Sequence, residues 1–315
     1  MTWKVLISAP HLVPVLERFR PTFAAEGIEC VVLTAPQRLS EADLLPWVGD
    51  IDGAICGDDA YTATVIAAAP KLKVISKWGI GVDSIDLDAA ARGGIVVRNT
   101  PSALADPVAD TVLAYVLCFA RQVAALDRAM KQGRWERLPA RSLRESTLGV
   151  IGVGSIGRAV VTRAAAFGMR VIGHDVVAVD PGFAAQTGLT ISTLDELLAA
   201  SDFVSLNCTL TPETYHLIGA RALGLMRSHA VLINTARGKL VDEPALIEAL
   251  RRTQIGGAAL DVFEVEPLPA DSPLRGMDQV LLGPHAANAS PAAFERIHAQ
   301  AVANLLDELK RWTRA

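Results

Sequence analysis

Short apolar, β-branched runs alternate with Ala/Leu-rich stretches of helical spacing along the chain. Lys4–Ser8, Cys30–Leu33, Gly53–Cys56, Val74–Ser76 and Ile95–Val97 show little polar alternation. Such runs predict strands buried on both faces, as in a parallel sheet. Pro14–Glu26 and Thr62–Ala69, between them, carry helical spacing. This is an α/β pattern, and it predicts a first domain from Met1 to about Arg98. Asn99-Thr100-Pro101 breaks the pattern. The apolar stretch Pro107–Gln132 predicts one long helix, ended by Gly133-Arg134-Trp135. A second α/β series starts at Thr147, with strands at Leu148–Val153, Arg170–His174, Phe203–Asn207, Ala230–Asn234, Gly257–Asp261 and Val280–Leu282. Six strands with helical crossovers predict a doubly wound dinucleotide fold. After Pro291 one amphipathic helix runs to about Trp312.

Composition narrows the function classes. The net charge is −4 and no run of Lys or Arg forms a basic stripe, so no nucleic-acid partner is expected. Val108–Ala120 is bounded by Asp106, Asp110 and Arg121 and reads as a buried helix, so no membrane span is expected. The N-terminus enters a strand directly, without a signal-peptide layout. Cys30, Cys56, Cys118 and Cys208 lie far apart in apolar contexts. They predict buried thiols in a reducing cytoplasm, and no metal site.

Leu148–Arg158 reads as a strand, a tight turn and a helix start. Gly152 permits the turn, Gly154 lets a pyrophosphate approach the backbone, and Gly157 lets the helix pack on the sheet. Ser155 and Ile156 open the helix, whose N–H groups and positive dipole end face the phosphates. Asp175 ends the next strand, roughly 20 residues on, where an acid binds ribose hydroxyls and repels a 2′-phosphate. The predicted cofactor is therefore NAD rather than NADP. Glycines alone at this spacing also occur in plain turns; the flanking strand, helix and acid point to the cofactor.

Arg237, Glu266 and His285 each follow a different strand of the second series. Ligands of open α/β sheets bind at the carboxyl ends of strands. Reducing a 2-keto acid needs a hydride and a proton for the carbonyl oxygen. A His donates that proton near neutral pH, a carboxylate beside it fixes its tautomer, and an Arg fork holds a carboxylate and polarises the carbonyl. Taken singly, these residues read as a surface charge, a loop carboxylate and a turn histidine. Their joint placement after three consecutive strands points to catalysis.

With these motifs, the loop Trp78–Asp83 and Leu210-Thr211-Pro212-Glu213-Thr214, the chain resembles the D-isomer-specific 2-hydroxyacid dehydrogenases over nearly its whole length. The resemblance implies α/β architecture with two doubly wound parallel-sheet domains. A flavodoxin-like substrate domain would span residues 1–98 and 291–315, and a Rossmann NAD-binding domain residues 99–290. It implies catalytic roles for Arg237, Glu266 and His285, and a small 2-hydroxy or 2-keto acid as substrate. Cys208, Thr235, Ala236 and Asp261 would line the cofactor, with Asp261 on the nicotinamide amide and Asn288 on cofactor or substrate. A homodimer around the cofactor domain is also implied.

Ser76–Asp83 matches the family loop whose backbone N–H groups bind the substrate carboxylate, here through Gly79, Ile80 and Gly81. Lys77 stands where phosphoglycerate dehydrogenases carry Arg. It either meets a distal anionic group or faces solvent at the strand end. Trp78 either narrows the pocket or packs at the hinge. The chain ends after its last helix, so serine feedback through an appended regulatory domain is not expected. Two other readings stay open. Glu266 argues against a formate-oxidising relative, which usually has Gln there, but does not separate a phosphite-oxidising one. An NADH-sensing scaffold would keep the same three residues.

Overall fold

The computed structural model describes residues 2–35, 37–101 and 104–314. Met1 and Ala315, the outer limits of the expected substrate domain, lie outside the described residues. The chain forms two compact units, Met1–Leu104 with Ser290–Ala315, and Ala105–Ala289. No single described helix is long and apolar enough to cross a membrane.

The first unit is built on β1 (Trp3–Ile7), β2 (Ile28–Val32), β3 (Gly53–Cys56), β4 (Val74–Lys77) and β5 (Val96–Arg98). All pairs are parallel, in the order β2-β1-β3-β4-β5. That is the flavodoxin-like order. The helix Pro291–Arg314 packs on β3, β4 and β5. Ala293, Ile297, Ala301, Leu305 and Leu309 recur every four residues and are buried. This is the apolar stripe of a helix lying on a sheet. A Cβ on Gly53 would come within 2.8 Å of Leu305 Cδ1, so the missing side chain lets the helix approach.

The second unit carries β6 (Thr147–Ile151), β7 (Arg170–His174), β8 (Thr190–Ile191), β9 (Phe203–Leu206), β10 (Val231–Asn234), β11 (Gly257–Leu260) and β12 (Val280–Leu282). They form one parallel sheet in the order β12-β11-β10-β9-β6-β7-β8, the doubly wound arrangement with its switch point between β6 and β9. Alternate residues feed two cores. Leu232 joins one cluster with Val204, Leu206 and Leu260, while Val231 and Ile233 join another with Leu148, Val150 and Ala259. Side chains that alternate between faces explain why these strands read as continuous apolar runs.

Three local expectations need correction. Pro107–Gln132 is two helices, Ala105–Ala120 and Val123–Lys131, bent by 60°. The Ala120 carbonyl accepts from the Arg141 N–H at 2.8 Å, and Gln122 turns with φ of 55°. A distant backbone donor thus ends the first helix. Pro14–Glu26 divides into a 3-10 turn, Val13–Arg18, and a helix, Arg20–Ala25. The second sheet has a seventh strand, β8, whose two residues are exposed.

Asp202 anchors the entry to β6. Its side chain accepts from the Thr147 N–H at 2.7 Å and from Arg227 at 3.1 Å, and lies 2.7 Å from His229 Nε2. Burial pushes this carboxyl up, but the bonds from His229, Thr147 and Arg227 outweigh it and hold it below its ordinary range. The folded state therefore resists protonation, and the stability from Asp202 is present above the ordinary carboxyl range and lost as pH falls through the folded value. Asp202→Asn should cost about 2 kcal/mol at neutral pH, roughly 4–8 °C in Tm. Calorimetry should show the gap to wild type closing below about pH 4. A gap that stays constant down to pH 3 (about the bottom of the carboxyl range) would contradict this account.

Candidate active site

The glycine turn lies where β6 meets β7, with Ile151 opposite His174. Gly152 has φ of 87°, and its N–H bonds to the His174 carbonyl at 2.8 Å. A Cβ there would lie 2.6 Å from the Cys208 backbone nitrogen, and one on Gly157 only 2.0 Å from the Gly152 carbonyl oxygen. Gly154 caps the helix Ser155–Ala166 with no side-chain hydrogen bond, and nothing lies within 4 Å of the Cβ it lacks. Ser155 and Ile156 begin that helix. Its first N–H groups are therefore offered to an anion.

Asp175 sits beside the turn, accepting from the Val153 N–H at 2.6 Å and the Val177 N–H at 2.9 Å. Cys208 is mostly buried, which pushes its thiol up to about 11. Thr235 and Ala236 follow β10, and Asn288 follows β12. Thr235 Oγ1 and Asn288 Oδ1 are shielded from water without a hydrogen-bond partner. Such orphans are costly unless a ligand satisfies them. The close-packed turn, open helix end and orphaned oxygens fit a dinucleotide.

Arg237, Glu266 and His285 follow β10, β11 and β12, which are consecutive neighbours in the sheet. His285 Nδ1 lies 2.7 Å from Glu266 Oε2, and both side chains are largely buried. The other Glu266 oxygen accepts from the Phe263 N–H at 2.9 Å. Arg237 donates to the Ala236 carbonyl at 2.9 Å. Asn234 braces the Arg237 turn, accepting from the Ala236 N–H at 3.0 Å and donating to the Arg237 carbonyl at 2.8 Å. A Cβ on the next residue, Gly238, would lie 1.9 Å from the Phe263 carbonyl carbon. The Arg237 turn and the Glu266 loop are therefore pressed together.

Asp261 supports the histidine. Its carboxylate accepts from the N–H groups of Ala286 at 3.0 Å and Ala287 at 2.7 Å, and its carbonyl accepts from the His285 N–H at 2.7 Å. Burial pushes this carboxyl up, against the two backbone bonds and the nearby His285. His285 takes φ of 55° in this turn. A Cβ on Gly283 would fall 2.3 Å from Asp261 Oδ1. Sequence reasoning placed Asp261 on the cofactor and missed this bracing role, together with Asn234, Gly238 and Gly283. The Asn at a strand end before Arg237, and the glycine before Pro284, were the available signals.

In the first unit, Lys77 does not face solvent. It is 3% exposed and lies 3.0 Å from Asp58 Oδ1. Trp78 is buried among His11, Phe294 and His298, and its Nε1–H donates to His298 Nδ1 at 3.0 Å. Gly79 has φ of 124°, and its N–H donates to Thr100 Oγ1 at 3.0 Å. The Ile80 carbonyl accepts from Asn99, and Gly81 follows in the same loop.

The family model described as D-isomer specific 2-hydroxyacid dehydrogenase, NAD binding domain, matches residues 113–287. The chain belongs to this family. As a D-2-hydroxyacid dehydrogenase it is an oxidoreductase with NAD as cofactor. A glyoxylate reductase of Korarchaeum cryptofilum is 41% identical over 254 residues, covering 79% of this chain and 76% of the relative. A D-3-phosphoglycerate dehydrogenase of Methanocaldococcus jannaschii is 41% identical over 251 residues, or 78% of this chain but 48% of the longer relative. A solved D-lactate dehydrogenase from Aquifex aeolicus, complexed with NAD and lactic acid, superposes with a TM-score of 0.86 at 29% identity. That match covers 98% of this chain and 95% of the other.

The glycine turn of this dehydrogenase has no room for a methyl group at Gly157. Gly157→Ala should weaken NADH binding by about tenfold or more. Titration calorimetry checks this, and an affinity within about twofold of wild type would contradict it.

Proposed function

We propose that this dehydrogenase interconverts a small D-2-hydroxy acid and its 2-keto acid, running as a ketoacid reductase. The supporting observation is the 2.7 Å contact between His285 Nδ1 and Glu266 Oε2. Bound NADH supplies the hydride. With Nδ1 engaged by the carboxylate, Nε2 is the nitrogen that gives the proton to the substrate oxygen. Glu266 fixes the tautomer and holds the ring in place. Arg237 binds the substrate carboxylate and polarises the carbonyl through its guanidinium. The glycine loop offers the backbone N–H groups of Ile80 and Gly81 to the substrate, the Gly79 N–H being taken by Thr100 Oγ1. Thr235 and Asn288 supply polar partners to the cofactor, and Asp175 takes its ribose and disfavours a 2′-phosphate.

We place the protein in the cytoplasm as a homodimer. Its four cysteines are free, which suits a reducing compartment. The dimer follows the family resemblance.

NADH consumption with glyoxylate, hydroxypyruvate, pyruvate and phosphohydroxypyruvate tests the reaction. Turnover on at least one is expected; none on any, with NADH bound, would overturn the proposal. His285→Ala should lose roughly 10²–10⁴-fold in kcat and keep its NADH affinity. Undiminished kcat would remove His285 as the acid. The same preparation should sediment at twice the chain mass, and a monomer would contradict the dimer.

A further inference from the structure

Strands β3 and β4 run side by side with Cys56 opposite Lys77. The loops that follow them, Gly57-Asp58-Asp59 and Trp78-Gly79-Ile80-Gly81, therefore leave the sheet together. Residues 57–62 and 78–86 contain no Lys, Arg or His, so Lys77 is the cation placed between these stretches. Its Nζ lies 3.0 Å from Asp58 Oδ1 and donates to the Trp78 carbonyl at 3.2 Å. A Cβ on Gly79 would sit 3.4 Å from the same Nζ. The ammonium is tucked beneath the backbone of the glycine loop.

A second carboxyl stands beside this pair. Asp59 is fully buried and accepts from Ser8 Oγ, the Leu39 N–H and the Gly57 N–H. Burial pushes its carboxyl up, while these bonds and the Lys77 charge pull it down. One buried ammonium thus answers two acidic side chains. Aromatic rings also neighbour the loop: His298 accepts the Trp78 indole N–H on Nδ1, burial pushes its imidazole down, and His11 lies against the Trp78 ring at 4.8 Å. A buried charge already matched by a carboxylate at 3.0 Å offers little to a second anion.

We infer that Asp58 cancels the Lys77 charge, so that the glycine loop admits 2-keto acids whose single anionic group is the reacting carboxylate and discriminates against those bearing a second anion. The inference rests on the substrate-binding reading of that loop given above. Asp58 is a specificity-determining residue that acts through Lys77.

Hydroxypyruvate and its 3-phosphate ester differ by that second anion and serve as probes. Wild-type kcat/KM for hydroxypyruvate should exceed that for the ester by about tenfold or more. Asp58→Asn should unmask Lys77 and narrow the ratio by roughly tenfold. Asp58→Asn combined with Lys77→Met should restore the wild-type ratio. Lys77→Met alone leaves the Asp58 carboxylate unmatched and should widen the ratio severalfold, and this comparison decides the matter if Asp58→Asn does not fold. Equal or better wild-type turnover of the ester would overturn the inference, as would an unchanged ratio in Lys77→Met. No turnover of any ketoacid would instead sink the parent reading.

Discussion

The buried carboxylate of Asp261 sets the shape of the turn that carries His285. Three backbone N–H groups, those of His285, Ala286 and Ala287, bond to this one residue. The left-handed conformation of His285 is uncommon for a residue with a side chain, and such conformations persist where surrounding bonds over-determine them. Gly283 completes the arrangement by leaving space for the carboxylate. With the turn fixed, the imidazole meets Glu266, whose second oxygen is tied to the Phe263 backbone. The imidazole is thus held by backbone bonds from its own unit.

The same logic links the neighbouring strands. Asn234 shapes the Arg237 turn at the end of β10, and Gly238 lets that turn press on Phe263 beside the Glu266 loop. A further brace crosses these loops: the Glu243 N–H donates to Glu264 Oε1, which also lies 2.8 Å from His216 Nε2. Parallel strands ending at one edge bring residues distant in sequence into register, and short polar bonds then set their directions. The two carboxyls near Lys77 show the opposite use of charge: they match a cation rather than aim one at a ligand.

Much of this was legible in the sequence where burial is two-sided. The runs in β6, β9, β10 and β11 are apolar because both faces of the sheet are covered. The glycine turn and Asp175 were legible because few residues fit a turn that close. What escaped depends on distant partners. The break near Gln122 comes from the Arg141 N–H capturing the Ala120 carbonyl, which no local pattern encodes. Strand β8 has two exposed residues and hence no apolar run. Lys77 reads either as a cation for a distal anion or as a surface charge until Asp58 is seen against it. The bracing role of Asp261 was not legible because its partners, Ala286 and Ala287, follow a later strand.

Nitrogen-15 NMR of histidine-labelled protein tests the dependence of the His285–Glu266 contact on Asp261 most directly. The account predicts a hydrogen-bonded Nδ1–H resonance from His285 in the wild type, assigned by its loss in His285→Ala. It should vanish in Glu266→Ala, which removes the acceptor, and also in a folded Asp261→Ala variant, because the turn would no longer hold the ring. A resonance that persists unshifted in Asp261→Ala would contradict that account.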